Sequence, residues 1–431
     1  MDNSHLGQPS PEWVAYGMAN PHLNINAAAD EGVPDPITIR DQANKAKEAS
    51  VRILLSKTGL NTRVSTTDHH ALARDGARLP IRAYQSIQPP SPSPRATEPT
   101  TAEPLSQPSH PLAAALLYYH GGGMLLGSLS TEDYLCSTWA DALGPDVVII
   151  SVCYRHTPEN TFPTQQHDAC DAFEWVVDHA NLLGLDTTKI VIGGVSSGGG
   201  LAAGVLQAEL QRHRTRPGHG TSADGKIRIR GQILAMPWLV HRDAYPLEKW
   251  SGGGREDRCS VVQCRNAPIM CARKYGLFTD LLRVEDGGKG FSVGLATREE
   301  LEGTPPTAVV ACGWDMLRDE AMDFAGRMEA AGASTKKHVF PGLPHSFTKY
   351  PDLPSSRRFN ELIVESVRWC LEPNPQADKP GRWEMEMPDG YRGVATGPEK
   401  QQREEQDKQC SDGVMRRWIP ELRGNRWGAL I

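Results

Sequence analysis

Through its middle the chain alternates short apolar runs with longer amphipathic stretches. Residues 113–119, 147–153, 189–192, 229–236, 307–312 and 336–340 are each short and largely apolar, and are predicted as strands. Between and after them, residues 131–143, 162–185, 197–212, 318–331 and 356–371 carry helical periodicity. Ser130 is the expected N-cap of the first of these helices, Gly184 the stop near the end of the second, and Gly332 the terminator of the fourth. Strands separated by helical segments imply a mostly parallel sheet with helices on both faces.

Three stretches depart from the alternation. Residues 36–58 are helix-compatible, and 64–86 read as a hairpin turning at Asp75-Gly76. Residues 87–111 are rich in Pro, Ser and Thr and predict a solvated insertion or a Pro-rich docking segment. Residues 240–304 interrupt the alternation after a strand end, so they are expected to sit over the site as a cap. The division that follows is a 1–60 N-terminal cap segment, a 61–371 catalytic domain carrying the 87–111 and 240–304 insertions, and a polar 372–431 extension. Trp383, Trp418 and Trp427 in that extension offer a way for it to dock loosely.

Bulk properties narrow the picture. At 431 residues, 39% of them hydrophobic, the chain is long enough to bury a sizeable core. A net charge of −6 gives no electrostatic footprint for nucleic acid or an anionic membrane. The first ten residues have neither a basic nor an apolar region, and no apolar run approaches the ~18 residues of a membrane span. A cytoplasmic location is therefore the default expectation. The nine cysteines are scattered. Cys259, Cys264 and Cys271 lie close together but lack metal-ligand spacing, so they read as reduced thiols and no metal is expected. The glycine runs at 252–254 and 287–290 lack the spacing of a phosphate-binding loop.

The chemistry lies in four short segments. Residues 194–198, Gly-Val-Ser-Ser-Gly, have the spacing that sets a serine on a sharp strand-to-helix turn. Glycines flank Ser196 at minus two and plus two, whereas Val195 removes Ser197 from contention as nucleophile. His345, after the 336–340 strand, is the expected base, in preference to His338 within the strand and His120 in the glycine loop. Asp315, after the 307–312 strand, is the expected orienter; Asp319 and Glu320 fall in the next helix's first turn. Residues 120–123, His-Gly-Gly-Gly, follow a buried strand. The backbone N–H groups of Gly122, Gly123 and Ser197 are the expected oxyanion donors.

Together these segments resemble the hormone-sensitive-lipase-like family of α/β-hydrolases, over roughly 64–371. His120 to Gly123 is similar to its oxyanion signature. Tyr154-Arg155-His156-Thr157-Pro158-Glu159 is similar to its structural Tyr-Arg-x-x-Pro-Glu segment, and residues 194–199, 315–320 and 341–347 to its nucleophile, acid and histidine segments. The resemblance implies an α/β-hydrolase fold with a helical cap and a carboxylesterase that needs no cofactor and takes small to medium acyl esters. Where the family often has Asp, Ala and an aromatic, this chain has Val195, Ser197 and Met124. Met124, Leu125, Leu126 and Trp238 are candidates to line an apolar acyl pocket.

Two other readings use the same residues: the triad acting on an amide, lactone or biosynthetic thioester, and a non-catalytic small-molecule receptor. The second is disfavoured because all three triad members are present. No interface signal in the sequence decides the oligomeric state.

Overall fold

The computed structural model describes residues 2–21, 35–87, 112–215, 227–251, 254–376 and 381–387. The Pro-rich 88–111 stretch and most of the C-terminal extension, with Trp418 and Trp427, lie outside the described residues.

The elements run as follows. Helices α1 (Pro11–Ala19) and α2 (Pro36–Thr58) precede the hairpin β1 (Val64–Leu72) and β2 (Arg78–Ser86). Then come β3 (Ala113–Tyr119), α3 (Leu129–Leu143), β4 (Val147–Val152), α4 (Thr164–Asp178), β5 (Leu185–Val195), α5 (Ser197–Thr215) and β6 (Gly231–Ala235). After short helical turns, α6 (Ala272–Leu282) leads to β7 (Thr307–Trp314), α7 (Arg318–Ala330), β8 (Thr335–Pro344), α8 (Pro354–Leu371) and β9 (Glu384–Met385).

The strands form one sheet in the order β1-β2-β4-β3-β5-β6-β7-β8-β9. β1 and β2 join it antiparallel, and every pairing from β4 to β9 is parallel. Both faces are covered: along β3, Ala115, Leu117 and Tyr119 enter one core, and Ala114, Leu116 and Tyr118 the other. Burial on both faces is why these strands read as unbroken apolar runs.

Several boundaries differ from the sequence expectation. The N-cap of α3 is Ser128, not Ser130. Its hydroxyl accepts from Thr131 N while Thr131 Oγ1 accepts from Ser128 N, a reciprocal cap that starts the helix two residues earlier. The expected 162–185 helix is α4 followed by a separate turn, Ala180–Leu183, closed by left-handed Gly184. Leu185 already belongs to β5, paired with Ala113, so that strand extends beyond 189–192 at both ends. The extension after 372 is not wholly peripheral. Glu384 and Met385 add a strand beside His338 and Val339, and Trp383 packs half-buried on the core.

The segments flanking the sheet's C-terminal edge are tied to it. α2 is held by Arg40 to Glu159 (2.6 and 2.8 Å), Lys47 to Glu132 (2.5 Å) and Asn44 to the Gly127 backbone. Glu12 of α1 accepts from the backbone and hydroxyl of Ser355, and Trp13 beside it is fully buried. From the 240–304 insertion, α6 places the Phe278 ring against Gly123. Among the described residues no helix is long and apolar enough to cross a membrane.

Candidate active site

Parallel strands end at a common edge, and open α/β sheets place their sites there. Here β3 delivers the loop His120 to Gly123, β5 delivers Ser196, β6 delivers Trp238, β7 delivers Asp315 and β8 delivers His345.

Ser196 occupies the one-residue turn between β5 and α5 with φ +56, left-handed backbone that a non-glycine residue adopts only when its surroundings hold it. Those surroundings are a ring of backbone bonds. Ser196 N donates to Ala235 O, and Ser196 O accepts from Trp238 N, both at 2.9 Å, and from Gly199 N. The flanking glycines have a steric cause. A Cβ on Gly194 would lie 2.3 Å from the Gly198 backbone, and one on Gly198 would lie 1.9 Å from Tyr119 O.

His345 Nε2 stands 2.8 Å from Ser196 Oγ, and its Nδ1 2.7 Å from Asp315 Oδ2. A carboxylate only accepts, so Nδ1 carries the proton and Nε2 is left to accept from the serine hydroxyl. Asp315 Oδ1 is fixed by Leu317 N at 3.0 Å. All three side chains are buried, with exposures of 2%, 2% and 1% for Ser196, His345 and Asp315. The arrangement can raise the nucleophilicity of a hydroxyl and carry its proton to a leaving group.

The other carboxylates take different work. Asp319 receives Ser260 N at 2.7 Å and the Arg318 guanidinium at 2.8 Å, tying the insertion to α7. Glu320 accepts from Leu239 N and Val240 N, and burial holds its carboxyl well above the usual range. His338 faces Glu386 in the extension at 2.9 Å.

In the glycine loop, Gly122 and Gly123 both have positive φ, +132 and +64. A Cβ on Gly121 would come within 3.4 Å of Ser196 Cβ, so the loop lies directly beside the serine. Gly123 N donates to Ser197 Oγ at 3.0 Å, and Tyr154 OH lies 3.4 Å from the same oxygen. Sequence reasoning assigned Ser197 a backbone role only. The serine at 197, where the family resemblance leads one to expect alanine, was the available signal. His120 is fully buried; its Nδ1 donates to Gly121 O, and burial holds the imidazole below its ordinary pKa.

Met124 and Trp238 line a crevice beside α5, with Phe162, Leu201, Leu282 and Phe291. It offers about 10 Å³, the room of one water. Leu125 does not line it and is buried in the core. Cys259 and Cys264 are buried in the insertion, where burial pushes both thiols up to about 12.

Residues 116–349 match a family model described as alpha/beta hydrolase fold. The versiconal hemiacetal acetate esterase of Dothistroma septosporum is 28% identical over 254 residues, 58% of this chain and 72% of that protein. The ethyl acetate hydrolase of Pseudomonas putida is 28% identical over 345 residues, 79% of this chain and 92% of that protein. Among solved structures, a hyperthermophilic esterase from the archaeon Pyrobaculum calidifontis superposes with a TM-score of 0.63 at 25% identity, covering 84% of this chain and 98% of its own.

Proposed function

Because the chain belongs to the α/β-hydrolase fold family, in its hormone-sensitive-lipase-like branch, and is a hydrolase of the esterase kind, we propose that Ser196, His345 and Asp315 are its catalytic triad and that its substrates are small acyl esters. The observation that carries this is the unbroken hydrogen-bonded line from Ser196 Oγ through His345 to Asp315 at the sheet's C-terminal edge.

In the proposed reaction Ser196 Oγ attacks the acyl carbon as His345 Nε2 takes its proton. The oxyanion forms beside Gly122, Gly123 and the N-terminus of α5, where backbone N–H groups and the helix dipole favour negative charge. His345 then protonates the leaving alcohol, and water releases the acyl group through the same steps in reverse. Asp315 stays ionised throughout, holding the imidazole's orientation and stabilising the imidazolium. Short acyl groups are the proposed range. The acetate esters named in the two relatives agree with that.

The test is hydrolysis of p-nitrophenyl esters from acetate to decanoate by wild type and Ser196→Ala. The expected result is an optimum at acetate to butyrate and a loss of at least ~10⁴-fold in kcat in the variant. Equal rates for the two proteins would remove the triad assignment; an optimum at decanoate would remove the short-acyl reading. An amide and a lactone of the same acyl group, run in parallel, separate ester hydrolysis from those alternatives.

A further inference from the structure

At the ends of two neighbouring parallel strands stand three side chains that take no proton and touch no reacting atom in the proposed ester hydrolysis. β3 ends in His120. β4 ends just before Cys153, whose segment continues to His156. One potential ligand atom from each of His120, Cys153 and His156 lies within 4.8 Å of the others. His120 and Tyr154 stack at 4.4 Å, and the His156 ring stands 5.3 Å from Tyr154 and 5.4 Å from His120, so the aromatic contacts hold both imidazoles in place.

A second observation points to a ligand. His120 Nε2 and His156 Nε2 are both buried with no hydrogen-bond partner. Leaving a buried polar atom unmatched costs about 1–3 kcal/mol, and here two occur on adjacent rings. For His120 the tautomer is set: Nδ1 donates to Gly121 O at 2.8 Å, so Nε2 presents a lone pair. A backbone carbonyl holding one ring nitrogen so that the other can bind a metal is the usual arrangement of a metal-ligating histidine. The cations bearing on these rings, Arg40 and Lys47, are each neutralised, by Glu159 and Glu132.

We infer that His120, Cys153 and His156 form a binding site for one thiophilic d¹⁰ metal ion of the Zn²⁺ type. Two imidazoles and a thiolate suit such an ion, with water completing a tetrahedron. Bond lengths of about 2.0–2.1 Å to nitrogen and 2.3 Å to sulfur put ligand atoms roughly 3.3–3.6 Å apart, so closure needs movements on the order of an ångström. Binding releases the Cys153 thiol proton to solvent and satisfies both unmatched nitrogens. Cys153 and His156 are partly exposed, whereas His120 is fully buried. Position 156 is one that the Tyr-Arg-x-x-Pro-Glu pattern leaves open, so the motif itself does not require a histidine there. An ion held by His120 would also fix the peptide running into Gly121 to Gly123.

The full-length protein, stripped with chelator, is titrated with Zn²⁺ by calorimetry and with Co²⁺ by absorption. Wild type is expected to bind one equivalent of Zn²⁺ and to give a thiolate-to-cobalt charge-transfer band. His156→Leu and Cys153→Ser are each expected to lose that band and to weaken Zn²⁺ binding at least 100-fold. Independently of any variant, Zn²⁺ is expected to protect Cys153 from iodoacetamide, read by peptide mass spectrometry. No stoichiometric binding by wild type, binding that persists in both variants, or alkylation of Cys153 unaffected by Zn²⁺ would each overturn the assignment. None of these readouts uses ester hydrolysis, so the outcome is separate from that of the triad.

Discussion

The tightest constraint in the site is the contact between Gly198 and Tyr119 O. A Cβ at 198 would sit 1.9 Å from that carbonyl, against the 3.0 Å below which real contacts essentially never fall, so Gly198→Ala demands a separation of about 1.1 Å. Tyr119 cannot supply it: it belongs to central strand β3, its side chain is fully buried, and its hydroxyl is bonded to Ala169 O. The movement therefore falls on the first turn of α5, which carries the Ser197 N–H and follows Ser196 directly. A displacement of ~1 Å in a catalytic constellation costs on the order of 10²-fold, or about 2.7 kcal/mol of transition-state stabilisation. Helix propensity alone predicts the opposite sign, a gain of roughly 0.8–1 kcal/mol for Gly to Ala. Gly326→Ala in α7, where a Cβ meets nothing within 4 Å, isolates that propensity gain. The assay is kcat/KM on p-nitrophenyl acetate alongside urea unfolding of both variants. Gly326→Ala is expected to be fully active and slightly stabilised, and Gly198→Ala folded but at least 100-fold slower. Wild-type activity in Gly198→Ala would refute the claim that this contact sets the elbow.

Further outcomes follow from other parts of the structure. Ser197→Ala removes the hydroxyl that now accepts from Gly123 N; with the donor released to the oxyanion, kcat is expected to rise by up to ~10-fold at little change in KM, and a tenfold fall in kcat would show that the hydroxyl assists catalysis instead. Trp13→Ala empties a fully buried site in α1 and is expected to cost ~3–5 kcal/mol in denaturant unfolding; a loss below 1 kcal/mol would mean that α1 is not part of the cooperative fold. Glu320 has a raised pKa, so the native state keeps a proton that the unfolded chain sheds above its ordinary value of 4.5. The sign is that stability falls as pH rises from there toward the folded pKa, by as much as ~1.4 kcal/mol per pH unit. Glu320→Gln keeps the acceptor for Leu239 N and Val240 N and abolishes that slope. Parallel stability curves for the two proteins between pH 5 and 8 would contradict it.

The parts of the molecule legible in the sequence are those whose physics is local or periodic. The buried strands announced themselves as apolar runs, and Gly194 and Gly198 marked their serine because the turn excludes side chains at those two positions. The strand–helix alternation was enough to bring residues 315 and 345 to one sheet edge. Boundaries set by reciprocal bonding were harder. The N-cap fell on Ser128 and not the expected Ser130 because Thr131 reaches back to Ser128 N. β5 was read short because Leu185 gains its strand character only from pairing with Ala113 of β3. The Ser197 side-chain bond joins residues 74 apart, and the docking of β9 depends on a register with β8 that no local pattern encodes. Leu125 shows the converse limit: an apolar residue next to a pocket-lining one need not line the pocket, because successive side chains in a loop can point into the core.

The packing of Phe278 on Gly123 has a consequence for how such enzymes diversify. A Cβ on Gly123 would lie 2.2 Å from that ring, so the insertion and the glycine loop are fitted to each other as lock-step parts. The insertion lies between β6 and β7, and exchanging it is an obvious way to acquire a new substrate. Here a transplanted insertion would bring a different residue to the place of Phe278 and reshape the loop beneath. Substrate range and rate would then be inherited as a single unit, and a chimera would need its loop re-matched before it recovered turnover.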